Sequence, residues 1–184
     1  MEKIKIREVA VIGSGIMGSR IACHLVNVGL RVLLLDVAPK ELNEDEKRNN
    51  KKITDKDVRN RIVNFSLQTT IKSKPSPLFI DSLHQNIKTG NIEDDISLVS
   101  KVDWIIEAVV ENLNIKKSVY DLIEKHRKKQ TLISTNTSGI PINQISEGRS
   151  KNFKKMFLGT HFFNPPRYLR LLEIIPGEIG RAHV

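Results

Sequence analysis

The feature that most constrains this chain is the run Val9-Ala10-Val11-Ile12-Gly13-Ser14-Gly15-Ile16-Met17-Gly18 near its amino terminus. An apolar stretch of strand length ends on three glycines in the spacing G-x-G-x-x-G. Ile16, Ile21, Ala22, Leu25 and Val26 then recur at helical spacing until Gly29 stops the helix. Residues 31–36 form a second apolar strand, continuous as expected when both faces of a parallel sheet are covered. A strand, helix and strand within about thirty residues make a βαβ unit. The first glycine permits a tight turn, the second admits a pyrophosphate, and the third lets helix and strand pack closely. The helix amino terminus offers free N–H groups and a positive dipole end to phosphate. Asp36, at the end of the second strand, suits the adenine ribose hydroxyls and repels a 2′-phosphate, which favours NAD over NADP. The candidate cofactor contacts are therefore Gly13, Ser14, Gly15, Ile16, Met17, Gly18 and Asp36.

Residues 41–61 are strongly polar and read as an exposed excursion. Thr54 and Asp57 resemble a capping box, opening a helix with Val58, Ile62, Phe65 and Leu67 inward and ending near Pro75. A short strand at 86–89 and a short helix at 93–100 follow. Alternation then resumes with a strand at 102–109 and a helix at 112–128, its inward face Ile115, Val119, Leu122 and Ile123. A strand at 131–135, a short helix at 141–147 with proline in its first turn, and strands at 157–161 and 169–175 complete the pattern. The fold class is α/β, a doubly wound Rossmann-type sheet, mainly parallel. Helices cover both faces, and a helical excursion follows the second strand.

With 184 residues, the chain is one domain's worth. No apolar run approaches the roughly 18–20 residues of a membrane span. The amino terminus leads straight into a strand without a signal-peptide pattern, and Cys23 is a single thiol on an apolar helix face, so a cytoplasmic protein with an inert core cysteine is expected. The net charge of +9 fits either a lysine-rich solvated surface or attraction of a polyanion such as a dinucleotide or coenzyme A. Basic residues are not interleaved with aromatics, which argues against a nucleic-acid partner. No His/Cys cluster has metal-ligand spacing, so no metal is expected. Residues 178–184 resemble the translation of a sequencing-library adapter more than the end of a protein. They read as a non-native tail on a fragment cut after a strand, which leaves residues 1–177 as the domain.

His161 and Glu173 lie twelve residues apart, at the end of one predicted strand and on its neighbour. A histidine with a reference pKa of about 6.5 suits removal of an alcohol proton. A carboxylate on its other nitrogen would fix the tautomer and stabilise the imidazolium. Strand alternation aims Glu173 opposite to Leu172 and Ile174. In an open α/β sheet ligands gather at strand carboxyl ends, which brings Glu111 and Ser138 near the same site. His24, His84 and His126 have no such partner and read as structural; His183 belongs to the tail.

Four motifs together make the chain similar to the NAD-binding domain of the 3-hydroxyacyl-CoA dehydrogenases of fatty-acid β-oxidation. They are Gly13-Ser14-Gly15-Ile16-Met17-Gly18, Ile106-Glu107-Ala108-Val109-Val110-Glu111-Asn112-Leu113, Asn136-Thr137-Ser138-Gly139 and His161-Phe162-Phe163-Asn164-Pro165. The likeness spans residues 9–176 and is strongest to bacterial members in which this domain begins a multidomain chain. It implies that His161 is the catalytic base and Glu173 its partner. Ser138 and Asn164 would contact the substrate's reacting end and the nicotinamide side, and Glu111 and Lys116 would contact NAD. Lys72 or Lys74 would fall near coenzyme A, although as residues they read first as solvated lysines. Gly139 stands where a second serine is common. The resemblance further implies an acyl-CoA substrate, and a homodimer formed through a helical domain absent from this chain, so that the isolated chain binds cofactor but turns over poorly. Two other readings stay open: a dehydrogenase of small hydroxy acids, whose acid/base is a lysine, and a non-catalytic, crystallin-like NAD-binding protein.

Overall fold

The structure is a computed structural model that describes residues 5–177; the proposed tail at 178–184 lies outside them. Seven strands form one sheet: β1 (Glu8–Ile12), β2 (Arg31–Asp36), β3 (Ile87–Asn91), β4 (Trp104–Glu107), β5 (Leu132–Thr135), β6 (Phe157–Phe162) and β7 (Leu172–Pro176), in the order β3-β2-β1-β4-β5-β6-β7. The first six run parallel and β7 is antiparallel to β6, which makes this the expected mainly parallel, doubly wound sheet.

Alternation along β1 shows how the two faces are filled. Val9 and Val11 pack with α1 (Ile16–Asn27) through Ile21, Ala22 and Leu25, and with Val63 and Leu67. Ala10 and Ile12 point the other way, into a core with Val119, Tyr120, Ile123, Ile145 and Phe153. A fully buried side chain of this size contributes roughly 1.5–3 kcal/mol, so neither face is dispensable. Burial pushes the Cys23 thiol up to about 12, consistent with an inert core cysteine.

The excursion after β2 is helical but begins elsewhere than expected. Its capping box is Asn43–Glu46, at the start of α2 (Glu44–Arg48), and Thr54 caps nothing. Asp55 precedes α3 (Lys56–Arg59), and Asn60 heads α4 (Arg61–Ile71). Arg61 pairs with Glu46, Arg59 with Asp94, and Lys51 with Asp57, while buried Asn60 accepts from Asn91 at 2.8 Å. Because α3 and α4 meet at Asn60, the buried face of α4 is Val63, Leu67 and Thr70, and Phe65 points out, 71% exposed.

After β3 come α5 (Ile92–Asp95) and a 3-10 turn (Ile96–Lys101). Then α6 (Leu113–His126) packs Lys116, Val119, Tyr120 and Ile123 inward, whereas Ile115 is 45% exposed. The remaining helices are α7 (Ile142–Ser146), with Pro141 at its cap, and α8 (Lys151–Met156). The final strand starts at Leu172, three residues later than expected.

Candidate active site

The carboxyl ends of β1, β2, β4, β5 and β6 surround a cleft of about 760 Å³. It lies where the chain, having built β2 and β3 on one side of β1, crosses to build β4 on the other. Such a switch point leaves a crevice, because successive crossovers depart in opposite directions. The cleft is lined by the glycine loop, Asp36, Glu111, Ser138, His161 and Asn164, among others.

Each glycine of the loop meets a different demand. Gly13 has φ +98°, and a Cβ there would lie 2.6 Å from the Ala108 carbonyl oxygen. A Cβ on Gly18 would lie 1.8 Å from the Gly13 oxygen. Gly15 has nothing within 4 Å of its Cβ position, facing the cleft at the start of α1. That open ground before free helical N–H groups fits a pyrophosphate. Asp36 Oδ2 accepts from the Ser14 N–H at 2.6 Å and the Ser14 hydroxyl at 2.5 Å, and Oδ1 from Val37 at 2.7 Å. A carboxylate has about four acceptor positions, so Asp36 can brace the loop and still take a ribose hydroxyl. Ile16 and Met17 line the same cleft, and Gly13, Gly15 and Asp36 do so beside them.

His161 and Glu173 are direct register partners across β6 and β7. Residues opposite one another in an antiparallel pair share a face, and the His161 Nδ1 lies 2.8 Å from Glu173 Oε2. With Nδ1 engaged, Nε2 is the nitrogen left for a ligand. Phe163 stacks obliquely on the imidazole, centroids 4.6 Å apart. The Phe162 N–H donates to Asn136 Oδ1 at 2.9 Å, tying the end of β6 to that of β5.

Glu111 is bound into the loop after β5. Its Oε1 accepts from the Thr137 hydroxyl, from the Ser138 N–H at 3.1 Å and from the Gly139 N–H at 2.9 Å. Burial pushes its carboxyl up, but these donors and the Lys116 ammonium outweigh that and bring it down to about 2. It therefore stands in the cleft as an anion that holds Ser138 in place.

Lys116 is not where direct cofactor contact requires it. Only 1% of its side chain is exposed, and its ammonium lies 2.8 Å from Glu107 and 3.3 Å from Glu111. Glu107 is wholly buried and also accepts from the Val109 N–H and the Thr135 and Tyr120 hydroxyls. A buried cation needs such carboxylates, so Lys116 works from beneath the site. Lys72 and Lys74 are exposed and line no part of the cleft. His24, His84 and His126 also lie away from it. Among the described residues no cluster of three or more His, Cys, Asp or Glu could hold a metal, and no helix is long and apolar enough to cross a membrane.

Sequence reasoning missed Glu107, Asn136, Thr137 and Arg20 as contributors. A signal existed for the first: a carboxylate closing the apolar run Trp104-Ile105-Ile106, nine residues before a lysine on the inward face of the next helix.

Comparison with known proteins shows the family to which the chain belongs. Residues 8–184 match the family profile described as "3-hydroxyacyl-CoA dehydrogenase, NAD binding domain". The chain is 49% identical over 171 residues to a probable 3-hydroxyacyl-CoA dehydrogenase of Bacillus subtilis, covering 93% of this chain and 22% of that protein. It is 41% identical over 175 residues to a probable 3-hydroxyacyl-CoA dehydrogenase of Deinococcus radiodurans, covering 95% of this chain and 46% of that one. Among solved structures, (S)-3-hydroxybutyryl-CoA dehydrogenase of Ralstonia eutropha superposes with a TM-score of 0.65 at 27% identity, over 94% of this chain and 55% of the other. The chain thus spans between about a fifth and a half of the length of these proteins.

Proposed function

Because this chain belongs to the 3-hydroxyacyl-CoA dehydrogenase family, through its NAD-binding domain, we propose that it holds the cofactor and the catalytic base of an L-3-hydroxyacyl-CoA dehydrogenase of fatty-acid β-oxidation. The observation that carries this reading is the 2.8 Å contact between His161 and Glu173 at the rim of the same cleft as the glycine loop.

The residues present fit NAD: an open Gly15 before a helix amino terminus, and an aspartate at the end of β2. A bound NAD would supply the acceptor for the hydride that leaves C3 of the hydroxyacyl group. The chain's own side chains handle the proton. His161 takes it from the 3-hydroxyl at Nε2, while Glu173 holds Nδ1–H and stabilises the imidazolium; in the reverse direction His161 returns it. Ser138 and Asn164 serve the substrate's reacting end and the nicotinamide side. Glu111 fixes the backbone that presents Ser138, and Lys116 and Glu107 fix Glu111. Residues 1–177 form this domain. The complete enzyme takes an acyl-CoA, acts in the cytoplasm, and dimerises through a helical domain beyond this chain. The relatives are longer than this chain, which leaves room in them for a further domain.

The test is single-turnover oxidation of NADH with acetoacetyl-CoA at stoichiometric protein, which registers chemistry even where steady turnover is slow. His161→Gln is expected to slow it about 10²–10⁴-fold, the usual range for a general acid–base residue, with NADH affinity unchanged. An unaltered rate would overturn the assignment.

A further inference from the structure

Arg20 lies on α1, the helix that begins at the glycine loop, yet its guanidinium reaches residue 164, beyond the end of β6. Its Nη1 donates to Asn164 Oδ1 at 2.6 Å. A guanidinium has only donors, so the amide must turn its oxygen to Arg20, and both amide hydrogens are left elsewhere. Asn164 also lines the cleft that holds His161 and Ser138. We propose that Arg20 is a positioning residue that fixes the Asn164 amide with its N–H₂ group toward the cleft, so that position 164 donates to a ligand carbonyl oxygen and does not accept from a hydroxyl.

Several features support this. The turn carrying Asn164 is held from a second side by Arg167, whose Nη1 donates to the Ser76 and Leu78 carbonyl oxygens at 2.6 Å each. Arg167 also lies over the Phe79 and Tyr168 rings. The backbone of the turn is thus anchored independently of Arg20, which leaves Arg20 the amide's orientation to set. The contact also runs from the nucleotide-binding helix to the segment just after the base, so one side chain joins the two halves of the cleft. Asn164 is exposed; without a partner its amide would sample both orientations and several rotamers. Ordering it upon binding would weaken a ligand about five- to tenfold, the cost typical of immobilising one side chain.

The inference rests on the dehydrogenase reading for the identity of the carbonyl, which is either the nicotinamide carboxamide or the thioester of a 3-ketoacyl-CoA. Calorimetric titrations of the whole chain with NADH and with acetoacetyl-CoA separate these sources. The variants are Arg20→Met, Arg20→Lys, and Asn164→Asp, which keeps an acceptor for Arg20 but has no N–H to give. Affinity for one of the two ligands is expected to fall about five- to tenfold in Arg20→Met and in Asn164→Asp, with Arg20→Lys in between. The ligand affected names the carbonyl. Unchanged affinity for both ligands in Arg20→Met would overturn the proposal, as would Arg20→Lys no better than Arg20→Met. A readout without ligand keeps it separate from the functional reading. The Asn164 side-chain NH₂ resonances of ¹⁵N-labelled protein, identified by their loss in Asn164→Asp, should move in Arg20→Met. If they do not, the proposal fails; if they do and wild type binds neither ligand, the dehydrogenase reading fails instead.

Discussion

Gly13, Gly15 and Gly18 occupy one loop but answer to different neighbours, and alanine substitutions separate them. Gly18→Ala forces a methyl into the Gly13 carbonyl and should destabilise the fold by about 1–3 kcal/mol or more, read as a lowered urea midpoint. Gly15→Ala meets open space, so stability should stay within about 0.5 kcal/mol. NADH affinity should fall by roughly tenfold, about 1.4 kcal/mol, because the methyl occupies the pyrophosphate's approach. Loss of stability in Gly15→Ala, or intact NADH binding, would contradict this division of labour. At this scale the glycines, Asp36, His161 and Glu173 could be read from the chain, because each has a motif or a strand register to announce it. Arg20 could not: it is a polar residue on a helix whose partner lies 144 residues away.

Between β4 and α6 the elements are joined by charge. Lys116 connects Glu107, inside the sheet, to Glu111, in the cleft. Lys116→Met should cost about 3–5 kcal/mol, since it leaves Glu107 buried and unpaired, and adding Glu107→Gln should recover part of that loss. Additive losses in the double variant would argue against the pair. Glu111 makes the region pH-dependent. Its folded pKa of about 2 lies below the ordinary 4.5, so its contribution is complete above about 4.5 and is lost as pH falls toward 2. With the carboxylate side chain 42% exposed, screening reduces the contribution to about 1–2 kcal/mol. The stability gap between wild type and Glu111→Gln should therefore narrow from pH 5 to pH 3; a constant gap would refute the assignment. The sequence could not reveal this network, because a lysine in an amphipathic helix reads as surface until its partners are known. Phe65 misled for the converse reason: where α4 starts decides which face is buried, and Asn60, not Thr54, heads that helix.

Taken as a whole, the molecule is a sheet covered on both faces but ending in a thin edge. The inner strands β1 and β4 are nearly inaccessible, whereas every residue of β7 is exposed, Ile174 by 64%. Amide hydrogen exchange should follow this gradient, slowest in β1 and fastest in β7 among the strands. The doubly wound, mainly parallel sheet was legible from alternating helical and strand patterns, since a βαβ crossover leaves few topologies, but the order of its strands came from the structure. The partner of Glu173 was legible as well, because an antiparallel neighbour puts it opposite His161. The account stands most directly on the cofactor. Parallel fluorescence titrations of the chain with NADH and NADPH should show saturable NADH binding, at least about tenfold tighter than NADPH on the proposal that the Asp36 carboxylate takes the ribose hydroxyls, and unchanged in His161→Gln. No NADH binding, or equal binding of the two nucleotides, would contradict it.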